Sequence, residues 1–190
     1  MKKIYALLVP ILLTPIFCFG QSSDKIISIL EKSHPSSRIK DQKGKFIPTD
    51  ERAVELVEIK VGDKSIKLGE HFTAENDWLK TLTVKMKNVS DKPISRIVIN
   101  LSFPEAKINR GFATSWIEYS AIDGNTGEIN EKKLAMPNRT VELVKDWYEE
   151  IKQRMKEAGI SDINQVIIAS IEVSFTDGSY WQSNRLSRSE

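Results

Sequence analysis

The chain has 190 residues, of which 40% are hydrophobic and 28% are charged, and its formal net charge is +2. This composition is typical of a globular domain with one core, and it excludes a disordered or collagen-like chain. Lys2 and Lys3 carry the positive excess, so the chain after residue 20 holds 26 basic and 26 acidic residues. A neutral protein does not attract polyanions over long range, and we therefore expect no nucleic acid among its partners.

Residues 1–20 have the pattern of a secretory signal peptide, because two lysines precede an uncharged apolar run that ends at Gly20. The run is 17 residues long and contains two prolines, which is marginal for spanning a bilayer. We expect cleavage after Gly20, a periplasmic or extracellular location, and no integral membrane span in the mature chain. An uncleaved anchor is the alternative. The single cysteine, Cys18, lies in this segment, so the mature chain would have no disulfide and no thiolate nucleophile.

Residues 21–50 are interpreted as an N-terminal leader and linker to the domain. An apolar run over residues 24–30 is compatible with one short helix, and the Ser-, Pro-, Lys- and Gly-rich residues that follow are typical of a linker. The main domain is expected to span residues 51–190. Its first element is a hairpin whose strands, over residues 54–61 and 65–68, are joined by a short turn.

The strongest pattern lies in residues 76–103. Two runs there alternate apolar and polar residues, which is the period of a half-buried strand. The turn-rich residues 88–93 separate the runs, so we predict one long antiparallel pair. The expected inward residues are Trp78, Leu82, Val84 and Met86 in the first run, and Ile97, Ile99, Leu101 and Phe103 in the second.

Shorter strands and one helix follow. Strands are predicted over residues 112–122, 140–144 and 166–176, and a two-residue turn at Asp177-Gly178 leads into a closing strand towards residue 186. In the strand over 166–176, the residues expected on one face are Ile167, Ala169, Ile171, Val173 and Phe175. The apolar residues of 146–158 recur every three or four positions, which predicts an amphipathic helix. Many short strands with one crossover helix indicate a mainly β fold, an antiparallel β-sandwich.

Three stretches resemble a group of exported bacterial domains of unknown function with an immunoglobulin- or fibronectin-type sandwich. They are Phe72 with Trp78-Leu79-Lys80, the run from Val84 to Ile94, and the run from Phe175 to Trp181. The resemblance covers residues 54–186. It implies the immunoglobulin-like architecture and no catalytic residue.

Aromatic residues are the candidate ligand-binding residues. Tyr180 and Trp181 are adjacent in a predicted strand, so one of them must point away from the core. Trp147 and Tyr148 are adjacent at the predicted helix start, where the same argument applies. Exposed rings could stack on a glycan, and we therefore nominate Tyr180, Trp181 and Trp147 as ligand-binding residues.

No motif indicates an enzyme, a metal or a cofactor. The histidines are His34, in the linker, and His71, which we expect at a solvent-facing strand edge. The Asp123-x-Asn125-x-Gly127 spacing resembles the start of a calcium loop, but position twelve of such a loop, where an acid is expected, is Leu134, so a simple turn is favoured. Carboxylate pairs for hydrolysis cannot be selected without a motif.

The leading hypothesis is therefore a non-enzymatic binding module of the cell envelope that acts through contacts with a protein partner. A glycan-binding module that uses exposed aromatics is the alternative, and a hydrolase is the third. No cofactor is expected.

Overall fold

The computed structural model describes residues 25–31, 37–40, 43–104, 114–144, 148–160 and 162–183. The predicted signal peptide and Trp147 lie outside these residues. Within them, no helix is long and apolar enough to cross a membrane.

Twelve strands and one α-helix make up the described chain. In order they are β1 (Lys25–Glu31), β2 (Ser37–Lys40), β3 (Phe46–Thr49), β4 (Val54–Val61), β5 (Lys64–Ile66), β6 (His71–Ala74), β7 (Leu82–Asn88), β8 (Ile94–Ser102), β9 (Thr114–Ser120), β10 (Thr140–Leu143), α1 (Tyr148–Ala158), β11 (Gln165–Phe175) and β12 (Tyr180–Ser183). Short 3-10 helices span Trp78–Thr81 and Glu131–Lys133.

The strands form two sheets. The smaller sheet is antiparallel, with the order β10-β7-β4-β5. The larger sheet has eight strands and is built on β11, whose one edge pairs with β8 along nearly its whole length. The other edge is shared, because β1 pairs with residues 165–168 and β12 pairs with residues 172–174. The sheet therefore forks into one branch through β1 to β6 and another through β12 to β2 and β3.

One core lies between the sheets, which confirms a mainly β, sandwich-like protein. Its fully buried residues come from both sheets, and they include Met86, Ile97, Ile99, Leu101, Ile117, Leu143 and Val166. The inward positions predicted for the second run, and for residues 82–86 of the first, are confirmed because all are buried. Trp78 is also buried, but it lies in a 3-10 helix before β7.

The predicted pairing of these two runs is wrong. β7 belongs to the smaller sheet and β8 to the larger one, so residues 88–93 carry the chain across the core. Asn88 holds this crossing, since its side-chain amide donates to the carbonyls of Lys92 and Ala135, each at 2.8 Å. Alternation shows which face of a strand is buried, but it does not show which strand lies beside it. Two strands that face one core from opposite sheets have the same alternation as two strands that are neighbours in one sheet.

The segment interpreted as a leader contributes three strands to the larger sheet. Residues 25–31 form a strand instead of the predicted short helix, and because this strand is parallel to β11, the sheet is mixed and not purely antiparallel. The isoleucines of this segment favour strands, because β-branched side chains pack well on a pleated surface. β2 and β3 pair as antiparallel neighbours where a linker was predicted, and Gly44, which lies between them, has a φ of 82°.

The helix prediction is confirmed over the described residues 148–158. Tyr148 and Ile151 are buried, and Met155 and Ala158 pack against the core. The N–H of Ile160 donates to the carbonyl of Met155 at 2.9 Å, beyond Gly159 with its φ of 69°, so the helix ends as its glycine predicts.

Two details of β11 and its turn differ from the predictions. A register shift between Ile168 and Ser170 exchanges the faces, so Val166 and Ile168 are buried in place of Ile167 and Ala169. The turn to β12 has three residues, because the N–H of Phe175 donates to the carbonyl of Ser179. Only Gly178 in this turn has a positive φ, which a type I′ turn would require at two positions.

Candidate functional site

The outward face of the larger sheet carries a row of polar and aromatic side chains on the β12 branch. The register places Phe46, Lys40, Tyr180 and Ser174 opposite one another across four strands. The next row contains Arg38, Gln182 and Glu172. Alternate residues of a strand share a face, so these rows face the same side. They line an open groove of about 770 Å³, which we call the aromatic groove.

Two rings and two cations form one end of the aromatic groove. Phe46 is 42% exposed, and its ring centroid lies 6.4 Å from that of Tyr180, with the ring planes at 80°. The Cζ atom of Arg38 lies over the Phe46 ring, 4.4 Å from its centroid, and the Lys40 Nζ lies at 5.6 Å. Both distances are in the range of cation–π attraction, so Phe46 holds the two cations beside it.

A chain of amide hydrogen bonds forms the floor. Arg38 Nη2 donates to Gln182 Oε1 at 2.7 Å, and Gln182 Nε2 donates to Glu172 Oε1 at 3.1 Å. Asn100 Nδ2 donates to the same Glu172 oxygen at 2.9 Å. Gln182 is only 3% exposed, so its orientation is fixed by these partners. The groove therefore has a rigid floor with a cationic end at β2 and an anionic end at β11.

The groove cations differ from a neighbouring cation on the same face. Arg96 on β8 donates from Nε and Nη2 to the two carboxylate oxygens of Glu118, at 2.9 and 2.8 Å. No carboxylate of the described residues forms an ion pair with Arg38 or Lys40. Their positive charges are thus held in place without a carboxylate partner in the part of the chain that the structure describes.

The structure separates the predicted aromatic residues. Tyr180 is half-buried and lines the groove, whereas Trp181 is 4% exposed and its Nε1 donates to the Glu51 carbonyl at 3.0 Å. Trp181 therefore belongs to the core and has no ring face for a ligand, and Trp147 lies outside the described residues. The argument that one member of the 180–181 pair points away from the core is confirmed.

Sequence reasoning missed Phe46, Arg38 and Lys40. They lie in the segment interpreted as a linker, and the signal that could have found them is the alternation from Ser37 to Lys40 followed by a glycine turn. A short polar hairpin has too few apolar residues to stand out.

The predicted metal and base candidates lie apart from the groove. Asp123 Oδ1 accepts the N–H groups of Asn125 and Thr126 at 2.9 and 3.0 Å, and these bonds lower the pKa of its carboxyl. This carboxylate therefore closes a turn. No group of three His, Cys, Asp or Glu residues suited to a metal occurs among the described residues. His71 is exposed on β6, the last strand of the β1 branch, and His34 lies outside the described chain.

A second cleft of about 480 Å³ lies between α1 and the 3-10 helix at Trp78. The Tyr148 hydroxyl donates to Asp77 Oδ1 at 2.5 Å, and Lys152 Nζ lies 3.2 Å from Oδ2. The Tyr148 hydrogen bond lowers the pKa of Asp77, while burial, first, and then Asp77 raise the pKa of Tyr148. Tyr148 therefore stays protonated and is unsuited to act as a base, so we interpret this pair as the contact that docks α1.

No protein-family model matches the chain, and neither a curated protein nor a solved structure matches it.

Proposed function

We propose that the chain is an exported, non-enzymatic binding module of the cell envelope that contacts a protein partner through the aromatic groove. The observation that supports this is the pair formed by exposed Phe46 and half-buried Tyr180, with the Arg38 guanidinium on the Phe46 ring and a fixed amide floor below. Aromatic residues and arginine are enriched at protein interfaces and supply much of their binding energy. A rigid framework below them lowers the entropy cost of ordering side chains on binding.

Side chains, and not the sheet edge, are the proposed contact. β3 is the last strand of its branch and carries Pro48, which has no N–H to donate to an added strand. Proline on an edge strand discourages another chain from extending the sheet.

In-cell photo-crosslinking tests the proposal with a matched pair of positions. Phe46 and Ile47 are adjacent on β3 and similarly exposed, at 42% and 47%, but only Phe46 lines the groove. A photo-crosslinking phenylalanine analogue at position 46 should capture a specific envelope protein, and the same analogue at 47 should not. Equal capture from both positions, or from neither, would contradict the proposal.

Export is part of the proposal and rests on residues 1–20. The mature protein isolated from its native cell should begin at Gln21, which N-terminal sequencing would show. A protein that begins at Met1 in the membrane fraction would favour the uncleaved anchor.

Glycan binding is the second candidate. Tyr180 lies beside Glu172, Gln182 and Arg38, which together offer hydrogen-bond donors and acceptors of the kind that sugar hydroxyls require. A glycan present at a hundred times its dissociation constant stabilises the protein by about 2.7 kcal/mol, a rise in Tm of roughly 5–10 °C. A flat thermal-shift screen against soluble glycans, or a rise that survives Tyr180→Ala, would count against this candidate.

We also infer that the sandwich is of the immunoglobulin or fibronectin type, as the resemblance implies. The two-sheet core and the crossing from β7 to β8 support this inference, and the parallel β1–β11 pair and the forked sheet are additions to that plan. An experimental structure that paired β7 with β8 would contradict it.

A further inference from the structure

We propose that the aromatic groove recognises an acidic peptide segment, with Arg38 and Lys40 binding its carboxylates. This inference rests on the proposed protein-binding function and names the chemistry of the partner. It follows from three features of the groove: the state of its cations, the state of its one carboxylate, and the covering of its phenylalanine ring.

The first feature is the pair of cations. Arg38 donates to a neutral amide oxygen and lies over Phe46, and Lys40 lies near the same ring. A guanidinium has five N–H donors in a fork that matches the two oxygens of a carboxylate. Among the described residues the Arg38 guanidinium contacts a single acceptor, Gln182 Oε1, so this fork has capacity for a carboxylate.

The second feature is the carboxylate of Glu172. It is the one acidic residue among the groove-lining residues that the structure describes, against the two cations, and it accepts hydrogen bonds from Asn100 and Gln182. Gln182 stands between Glu172 and Arg38, so the negative charge is directed to the β11 end. Charge complementarity therefore places the acids of a ligand at the β2 end, against Arg38 and Lys40.

The third feature favours a peptide over an acidic polysaccharide. The Arg38 guanidinium covers one face of Phe46, and Phe46 meets Tyr180 edge-on. Phe46 therefore offers a sugar less free ring face than an uncovered aromatic side chain would. Apolar side chains between the acids of a peptide can instead contact the ring edges while the carboxylates bind the cations.

Mass spectrometry of the species crosslinked from position 46 tests the inference directly. The captured partner peptide should lie in a stretch rich in Asp and Glu, and capture should fall at least fivefold in Arg38→Gln and in Lys40→Gln. Lys64→Gln is the control, because Lys64 is exposed on β5 in the smaller sheet. A captured stretch that is neutral or basic, or capture that survives both groove variants, would overturn the inference.

The captured stretch, synthesised with a fluorescent label, gives a second measurement. A version with Gln and Asn in place of every Glu and Asp should bind at least tenfold more weakly in fluorescence anisotropy. Equal binding of the two versions would overturn the acidic inference while leaving the protein contact intact. Displacement of the acidic peptide by polygalacturonate at lower carboxylate concentration than by the unlabelled peptide would also overturn it, in favour of a polysaccharide. Loss of capture at position 46 itself would instead refute the proposed function.

Discussion

The outward faces of the two sheets contain similar residues and use them differently. On the smaller sheet, Glu58 accepts hydrogen bonds from Lys85 at 2.9 Å and Ser65 at 2.7 Å, and Lys60 lies 3.4 Å away. On the larger sheet, the cations of the aromatic groove lie over a phenyl ring. The described charges around Glu58 therefore pair with one another, whereas the two cations of the aromatic groove form no ion pair with the described residues.

The two faces differ in how far their charges are available to a partner. Exposed ion pairs contribute little to stability, so the pairs on the smaller sheet do not explain the fold. Their effect is to pair Glu58 with two lysines, which makes these charges less available to a charged ligand. An aromatic platform holds cations in position without removing their charge, and this makes the groove face the better candidate for recognition.

The largest expected effect separates the groove face from the core beneath it. Trp181 packs inside the core and is paired with Val173 and Ile39 in the neighbouring strands, so Trp181→Ala should cost about 3–5 kcal/mol of unfolding free energy. Tyr180→Ala, one residue away on the groove face, should cost about 1 kcal/mol or less. Urea unfolding of both variants measures the difference.

Equal costs at positions 180 and 181 would mean that the groove face is as much a part of the core as the inward face. The distinction between the two faces of β12 would then be wrong.

A smaller effect is expected where the chain passes from the smaller sheet to the larger one. Asn88 is fully buried at the crossing between the sheets, and its oxygen accepts the N–H and hydroxyl of Ser90 at 2.9 and 2.7 Å. Asn88→Ala removes these bonds and leaves the buried Ala135 carbonyl without its side-chain partner, which should cost about 2–4 kcal/mol. Thermal unfolding should show no comparable loss in Val89→Ala, whose side chain is exposed. A cost below that of the control would show that the crossing does not depend on Asn88.

The sequence predicted the core better than the connections between strands. Period-two alternation identified the inward residues of β7 and β8, because burial of one face is a property of each strand alone. The pairing of β7 with β8 was wrong because nearness along the chain is only a tendency in sheets. Asn88 decides the crossing through Ala135, 47 residues away, and no local pattern contains that bond.

The site was predicted at one residue, Tyr180. Its partners in the groove come from β2 and β3, more than 130 residues earlier, through the pairing of β12 with β2. The segment that carries them contains few apolar residues, so the strand period is present only in the short run from Ser37 to Lys40. β1 and β12 share one edge of β11, and the sheet forks there. This arrangement depends on the register of each strand against β11, which a single sequence does not show.

The pairing on the smaller sheet should appear in the pH dependence of stability. Hydrogen bonds from Ser65, first, and then Lys85 lower the pKa of Glu58 from 4.5 to about 2. Because the pKa is lower in the folded state, the contribution of Glu58 is present above pH 4.5 and is lost as the pH falls towards 2. In Glu58→Gln this part of the loss of stability at low pH should be absent. Asp177, whose pKa is also about 2, contributes to the remainder in both proteins. The urea midpoints of the unchanged protein and of Glu58→Gln, measured from pH 6 to 2, provide the test. If the two midpoints fall in parallel, the lowered pKa is not that of Glu58.

The smallest expected effect is on Lys40. Lys40→Gln breaks no ion pair with the described residues, so it should change the free energy of unfolding by about 0.5 kcal/mol or less. Arg96→Gln, on the same face, breaks a bidentate pair with Glu118 and should cost about 0.5–1 kcal/mol. Urea unfolding at neutral pH compares the two. If Lys40 stabilised the fold as much as Arg96 does, its position beside the Phe46 ring would be explained by folding, and the argument that this face is arranged for a partner would lose its main support.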